Sequence, residues 1–186
     1  MAKIIGLTLL LVAVAGVVLY NRLIRSRNRV DTAWSDIDVQ LQRRHDLIPR
    51  LVTAVDQYAS YERATLEAVT ELRTEAMRTA EVRAKGKIEE KLSAGIERII
   101  ALAESYPDLK ANENFLNLQN ELVETENYLQ FARRFYNGSV RDYNTMTETV
   151  PSNIIAGWFD FVSREFFQKT SDDAANVPLV KLGSIE

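Results

Sequence analysis

The side chains best suited to catalysis or metal binding are few in this chain of 186 residues. It has no cysteine and a single histidine, His45. A carboxylate-bridged metal site in a helical bundle takes Glu-x-x-His from two helices, and no glutamate stands three residues before His45. His45 is therefore expected to be a surface or helix-capping residue. The sequence predicts no metal site and no cofactor.

Nucleophilic and phosphate chemistry also lack their usual signatures. No serine lies in a Gly-x-Ser-x-Gly turn, and the pair Gly138-Ser139 falls within a helical pattern without forming a glycine-rich phosphate loop. The absence of cysteine removes thiol nucleophiles and disulfide bonds. No residue is predicted to be catalytic, and the protein is predicted not to be an enzyme.

The unusual polar residues are those that lie on or beside apolar helical stripes. A buried charge costs several kcal/mol unless it is paired and hydrogen-bonded, so inward-facing charges must form networks that fix helix register. The alternative is that they flank the core and reach water. The flanking position is favoured for Asp31 and Asp38, and the network for Glu126 and Arg133. The predicted buried polar network comprises Arg44, Gln119, Glu126, Arg133, Asn137 and Asn144.

The elements that must position these residues are helices. Apolar residues recur every three or four positions over residues 22–48, 51–84, 88–106 and 112–147. We expect a kink or short break near residues 45–49, at Pro49, and a turn at Lys85-Gly86-Lys87. The third helix should end before Pro107, and Asn112 should cap the fourth.

No stretch before residue 150 alternates with period two, so the fold class is predicted to be all-α. Long helices joined by short loops, with apolar steps near 3.5 residues as in coiled coils, predict an antiparallel bundle of the four-helix type. The predicted organisation is a tail and transmembrane helix at 1–21, the bundle at 22–150, an aromatic amphipathic helix at 151–169 and a loosely ordered tail at 170–186.

An uncharged apolar run precedes the bundle. Residues 4–20 read IIGLTLLLVAVAGVVLY, and as a helix they span about 26 Å, enough to cross a thin bilayer core. A cleaved signal peptide is the competing interpretation, because Ala13-Val14-Ala15 resembles a cleavage site. The run continues as Gly16-Val17-Val18-Leu19 beyond that site, however, and arginines follow it. A retained single-pass anchor is therefore favoured.

The charges around this run predict its orientation and its partners. Arg22, Arg25, Arg27 and Arg29 follow it, against Lys3 before it, which places the bundle in the cytoplasm and a short tail outside. Such arginines are also drawn to anionic lipid. The net charge of −3 with mixed signs argues against nucleic-acid binding. The sequence therefore predicts a single-pass membrane protein, with membrane lipid as a partner.

Aromatic residues are concentrated after Pro151. A helix from Ile154 to Phe167 would carry apolar residues on two faces, which need two covering surfaces. One is the bundle; the other is a neighbouring subunit, the lipid interface or the chain's own tail. The predicted interaction surface comprises Trp158, Phe159, Phe161, Phe166 and Phe167. If it mediates self-association, Trp158 or Phe161 should be central.

Two blocks of sequence carry a resemblance to a known family. Residues 27–49 read RNRVDTAWSDIDVQLQRRHDLIP, and the second block contains LQNEL at 118–122, TEN at 125–127 and YN at both 136–137 and 143–144. Together with the anchor and residues 151–159, they resemble the LemA family of bacterial membrane proteins. The resemblance implies a short extracytoplasmic tail, one spanning helix and a soluble bundle of long helices. It implies no catalytic activity, and it links the chain to envelope proteostasis and membrane zinc proteases.

These observations predict a membrane-anchored, non-enzymatic helical scaffold or adaptor that acts by self-association or by binding other membrane proteins. A homo-oligomer is expected. The alternative is a regulatory partner of a membrane protease in envelope proteostasis, for which a membrane zinc protease is the candidate partner.

Overall fold

One helix of 55 residues, α1 (Ala2–Asp56), forms the spine of the structure. The computed structural model of the protein describes residues 1–58 and 63–167. Large apolar side chains from Ile4 to Val18 are exposed, and burial of the helix begins at Leu23. Within the described ranges, α1 is the one helix long and apolar enough to cross a membrane by length and composition. The apolar run and the first helix of the bundle therefore form one continuous helix.

Pro49 lies inside α1, and the predicted short break at residues 45–49 is wrong, because the helix continues past the proline. The kink predicted as the alternative stays a prediction. Proline has no N–H to donate to the carbonyl four residues earlier, which here is the carbonyl of His45. Arg73 takes over this role, because its Nε donates to the His45 carbonyl at 2.6 Å. A side chain from another helix thus satisfies the acceptor that the proline leaves open.

The connection between the next two helices also differs from the prediction. The pattern over residues 51–84 is divided between α1 and α2 (Arg63–Arg78), and α3 (Val82–Ala103) begins before the predicted turn at residues 85–87. Glu81 is the reason for the early start. Its carboxylate accepts hydrogen bonds from the amides of Arg83 and Ala84 at 2.8 and 2.6 Å, and so caps α3. Gly86 is buried inside α3 instead of forming a turn.

Two shorter predictions at the far end of the bundle are confirmed. The third helix ends before Pro107, where the single turn α4 (Pro107–Lys110) follows. Asn112 caps α5 (Glu113–Glu148), because its side-chain oxygen accepts from the amides of Asn114 and Phe115 at 2.9 and 3.2 Å. Four long helices, α1, α2, α3 and α5, therefore make up the all-α fold, as predicted.

The α1–α5 pair is antiparallel, since Arg44 meets Glu126 while the later Arg50 meets the earlier Glu121. The α2–α3 pair is packed so closely that a methyl group added at Gly95 would lie 2.7 Å from Val69 Cγ2. The apolar core forms two clusters. On α1, one cluster takes the buried residues between Leu23 and Leu41, and the other takes those between Leu47 and Val55.

The predicted helix from Ile154 to Phe167 is wrong beyond Trp158. The last described helix, α6 (Ser152–Trp158), is seven residues long, and the prediction of one amphipathic helix over 151–169 fails with it. Asp160 has a φ of 53°, a left-handed conformation that aspartate tolerates better than most residues. The chain then runs without regular structure from residue 161 to Phe167. The predicted tail at 170–186 lies outside the described residues.

Two Tyr-Asn pairs on α5 hold this final segment, which we call the strap (residues 162–167). The hydroxyls of Tyr143 and Tyr136 donate to the backbone carbonyls of residues 162 and 165 at 3.1 and 2.9 Å. Asn144 both donates to the carbonyl and accepts from the amide of Arg164, at 2.9 and 2.8 Å. Asn137 accepts from the amide of Phe167 at 3.1 Å. The helix thus offers side chains where the strap has unpaired backbone groups.

The spacing of the pairs matches the strap. Tyr136 and Tyr143 are seven residues apart on α5, and so are Asn137 and Asn144. Seven helical residues rise about 10 Å, and three residues of extended chain cover about the same distance. The contacts of Tyr136 and Asn137 therefore fall three residues later in the strap than those of Tyr143 and Asn144. The strap thus runs antiparallel to α5.

We expect Asn144→Ala to speed amide exchange at Arg164 about fivefold, because one net hydrogen bond is worth about 1 kcal/mol. The amide of Phe167, which Asn137 holds, is the internal control and should change far less. Hydrogen exchange followed residue by residue measures both. Unchanged exchange at Arg164 would mean that its contact with Asn144 does not retain the strap.

Candidate functional site

The most densely connected group of polar side chains surrounds Arg44, whose side chain is 1% exposed. Its Nη1 donates to Ser93 Oγ at 2.6 Å and to Glu126 Oε2 at 2.9 Å. Its Nη2 donates to the carboxylate of Glu89, a residue with no exposed surface, and to the backbone carbonyl of Glu89 at 3.3 Å. Arg44 thus joins α1, α3 and α5 through a single guanidinium.

Glu89 completes a second pair with the residue next to Arg44. His45, which is 3% exposed, approaches Glu89 Oε1 through Nε2 at 2.7 Å. Burial by itself raises the pKa of Glu89, but the hydrogen bond from His45 and the charge of Arg44 together outweigh it and hold that pKa below its ordinary value. Glu89 is therefore an ionised acceptor at neutral pH, with each carboxylate oxygen on a different donor.

Arg133 extends the group along α5. Its Nη1 lies 3.8 Å from Glu126 Oε1, and its guanidinium carbon lies 5.3 Å from the centre of the Phe167 ring. Burial lowers the pKa of Arg133. The guanidinium still carries its charge at neutral pH, because arginine is effectively always protonated in proteins. The charge cluster, defined as Arg44, His45, Glu89, Glu126 and Arg133, thus balances two arginines against two glutamates.

The charge cluster divides the apolar core in two. On α1 it falls between Leu41 and Leu47, and on α5 its Glu126 falls between Leu122 and Leu129. Sliding one helix by a turn would place Arg44 or Glu89 against an apolar layer without its partner, which costs several kcal/mol. The arrangement therefore fixes the register of α1, α3 and α5.

The structure brings together three of the six residues predicted to form one buried network. Arg44, Glu126 and Arg133 meet in the charge cluster, whereas Asn137 and Asn144 hold the strap instead. Gln119 is half-buried two turns before Glu126, and no described hydrogen bond joins its side chain to the cluster. Asp31 and Asp38 are exposed, in agreement with their predicted flanking positions.

Sequence reasoning missed Glu89 and misplaced His45, which was expected at the surface or in a cap but is buried. A signal for both was present. Glu89 stands three residues before Leu92 and seven before Ile96, in phase with the core of α3. His45 follows Leu41 by four residues and precedes Ile48 by three, in phase with the core of α1. A polar residue in phase with an apolar stripe indicates a buried partner on another helix.

The predicted aromatic surface is also divided. Trp158 is 78% exposed, Phe159 is 57% exposed and Phe166 is 40% exposed. Phe161 and Phe167 instead lie in the core, so their assignment to an interaction surface is wrong. Phe161 packs against Tyr20 and Phe167 against Trp34. A charge at Phe161 would therefore disturb the fold before it disturbed any assembly.

The geometry of the charge cluster suits positioning more than proton transfer. Both of its carboxylates are held by arginine, and a general acid or base needs a group free to exchange a proton with a substrate. In the part of the chain that the structure describes, no three His, Asp or Glu side chains are grouped to hold a metal ion. The charge cluster is best described as a structural group that holds α1, α3 and α5 in register.

Comparisons with known proteins identify a matching family and three similar proteins. The model of the LemA family matches residues 33–182. Protein LemA of Metamycoplasma hominis is 25% identical over 167 residues, which cover 87% of this chain and 74% of that protein. Magnetosome proteins MamQ 1 and MamQ 2 of Paramagnetospirillum magneticum are each 22% identical over 187 residues, covering 87% of this chain and 68% of theirs. Since the family match extends from α1 past the strap and takes in the whole charge cluster, the chain belongs to the LemA family.

Proposed function

We propose that the protein is a non-enzymatic helical scaffold or adaptor, anchored in the bacterial inner membrane by α1 and acting by self-association. The bundle lies in the cytoplasm in this proposal, because four arginines follow the apolar run and a single lysine precedes it. The uninterrupted α1 supports an anchored role, since the same helix provides the apolar run and one wall of the bundle core.

The observation that carries self-association is an apolar strip on the outer face of α5. Exposed apolar residues recur along the outer half of the helix, and three of them, Tyr128, Phe131 and Phe135, are neighbours at steps of three and four residues. Phe131 and Phe135 are 62% and 53% exposed. Contiguous exposed aromatic and aliphatic side chains usually mark an interaction surface. The α5 strip comprises Leu116, Val123, Tyr128, Phe131 and Phe135.

The direction of the α5 strip suits contact between anchored copies. It covers 20 residues of helix, about 28 Å, and α5 is antiparallel to α1. Two copies anchored in the same membrane share the direction of α1, so their α5 strips run side by side over this length. A two-fold axis along the membrane normal would make such a contact self-complementary.

The mass of the intact complex in nanodiscs and in mild detergent tests this proposal. The native chain should form an oligomer, and the double change Phe131→Asp with Phe135→Asp should reduce it to a monomer with unchanged helix content. Buried aromatic residues dominate such contacts, and a carboxylate in their place is costly to desolvate. Val39→Asp is the matched control, because Val39 is exposed to a similar degree on the outer face of α1. A native monomer in both media, or a double variant that stays assembled, would refute self-association.

The alternative, a regulatory partner of a membrane protease, is supported by the functions to which the family resemblance links this chain. The same mass measurement on complexes extracted from native membranes separates the two functions. Copies of this chain alone favour the scaffold. A protease in fixed stoichiometry with the chain would favour the alternative.

A further inference from the structure

A second apolar surface lies at the end of the bundle where α1 enters it, beside Gly16 and Tyr20. It belongs to residues 150–162, which include α6 and which we call the foot. Five of the eight exposed residues of the foot carry large apolar side chains: Val150, Ile154, Trp158, Phe159 and Val162. The other three are Pro151, Gly157 and the single charged residue, Asp160. Trp158 and Val150 are more than three-quarters exposed, so neither the bundle nor α1 covers them.

The foot rests against the last turns of the apolar run. Ile155 Cδ1 lies 3.9 Å from where a Cβ on Gly16 would stand, and the ring of Phe159 lies 4.8 Å from the ring of Tyr20. Phe161 packs on the same tyrosine at 5.7 Å. Gly16 and Tyr20 belong to the final turns of the apolar run. The foot is therefore level with the end of that run.

Positively charged residues of α1 lie next to the foot, on the side toward the bundle. Arg22, Arg25 and Arg29 are exposed on α1 within three turns of Tyr20, and the guanidinium of Arg27 lies 5.4 Å from the Phe161 ring. An apolar helix, then a belt of aromatic residues, then arginines is the order found from acyl chains through headgroups to water. The foot and the anchor form one continuous apolar surface bounded by one layer of positive charge.

Part of the backbone near the foot is hydrogen-bonded within the protein, which suits a surface poor in water. The ends of α6 are hydrogen-bonded in part, by the amide of Asn153 on the Thr149 carbonyl and the amide of Phe159 on the Ile155 carbonyl. The strap that follows receives its partners from the side chains of Tyr143 and Asn144 on α5. Unpaired backbone groups would resist transfer toward hydrocarbon by several kcal/mol each. These side-chain contacts remove part of that penalty where the strap leaves the foot.

We propose that the foot inserts into the bilayer interface, with Trp158, Phe159 and Ile154 among the acyl chains and headgroups of the leaflet that holds the bundle. The occupant of this surface is phospholipid, because any side chain packed beside Gly16 on a spanning α1 is surrounded by lipid. The foot then gives the bundle a second point of contact with the membrane beside α1. Two contacts fix the tilt and rotation of the bundle, which one helix alone leaves free. This inference rests on the anchor of the proposed function and is independent of self-association.

The two tryptophans of the chain provide the test. The full-length variant Trp34→Phe keeps Trp158 as its one fluorophore, and the variant Trp158→Phe keeps Trp34. Trp34 lies 14 residues beyond Tyr20 on α1, about 21 Å further from the bilayer. Both variants are reconstituted, at high dilution in lipid, into phosphatidylcholine vesicles that carry bromine either near the headgroup or deep in the acyl chains.

Bromine near the headgroup should quench Trp158 at least about twofold, and deep bromine should quench it less, since interfacial side chains reach only about 5–10 Å below the headgroups. Trp34 should be unaffected by either lipid. Trp158 emission that no brominated lipid quenches would overturn the proposal, and so would equal quenching of Trp34 and Trp158. Flotation of the vesicles separately reports whether α1 is inserted, so failure of the foot and failure of the anchor are distinguishable.

Discussion

Replacing Arg44 with methionine is expected to lower the free energy of unfolding by about 3–5 kcal/mol. The change removes the cation that holds Glu89 and Glu126 and leaves the Glu89 carboxylate buried with His45 as its remaining partner. Methionine keeps most of the apolar volume of the arginine stem, so the loss reports the charge more than a cavity. Urea unfolding of the full chain in mild detergent, followed by circular dichroism, measures it.

The matched control is Arg50→Met. Arg50 lies on the same helix and also pairs with a glutamate of α5, but both partners are about half exposed and the oxygen is 3.4 Å away. Exposed pairs of this kind contribute less than about 1 kcal/mol. Equal losses for Arg44→Met and Arg50→Met would show that the charge cluster does not hold α1, α3 and α5 in register.

The second large effect is expected at Arg73. Arg73→Met should lower the free energy of unfolding by about 1–3 kcal/mol, because it strands the His45 carbonyl that Pro49 cannot satisfy. The distinctive part is the rescue. Pro49→Ala restores the N–H at position 49, and the alanine amide can then donate to the His45 carbonyl within α1. The loss caused by Arg73→Met should therefore be much smaller in the Pro49→Ala background.

A double-mutant cycle of these two changes isolates the coupling. Thr74→Ala serves as a control on the same helix, since its hydroxyl bonds only to the carbonyl of Thr70 within α2. It should show no coupling to Pro49→Ala. Additive losses for Arg73→Met and Pro49→Ala would mean that Arg73 stabilises the bundle by some route other than the His45 carbonyl.

Much of the fold was predictable because it depends on local spacing. The uncharged run that opens α1, the Asn112 cap and the apolar stripe of α5 are each visible within a few turns of sequence. One error came where a distant group decides a local outcome, and another where a nearby cap was overlooked. Pro49 suggests a break until Arg73 is known to reach its open carbonyl. The turn at residues 85–87 fails because Glu81 starts α3 one turn earlier.

The candidate sites follow the same division. Arg44, Glu126 and Arg133 were recognised as polar residues on apolar stripes, but which of them meet depends on how α1, α3 and α5 are aligned. Asn137 and Asn144 have the same sequence signature as Glu126, yet they bind backbone. No side-chain pattern in residues 162–167 predicts that this segment will lie against α5 as a strap. The aromatic residues after Pro151 predicted a surface, and only the packing of Phe161 on Tyr20 shows which of them remain exposed.

One buried cluster and two surfaces are thus arranged around one long helix. The charge cluster aligns the bundle on α1, the foot lies beside the end of the apolar run, and the α5 strip faces outward along the antiparallel partner of α1. A scaffold that works by contact between copies needs each copy held at a defined height and angle. The foot and the uninterrupted α1 would supply both.

The intact mass of the protein in the washed membrane fraction tests most directly whether α1 is a retained span. Mass spectrometry should find the whole chain of 21.2 kDa, still with the membrane after an alkaline wash. This expectation rests on the exposed apolar stretch of α1, which is long and apolar enough to cross a membrane and continues unbroken into the bundle. A shortened chain that begins at Gly16, or a full-length chain in the soluble fraction, would contradict the anchor and the functions proposed from it.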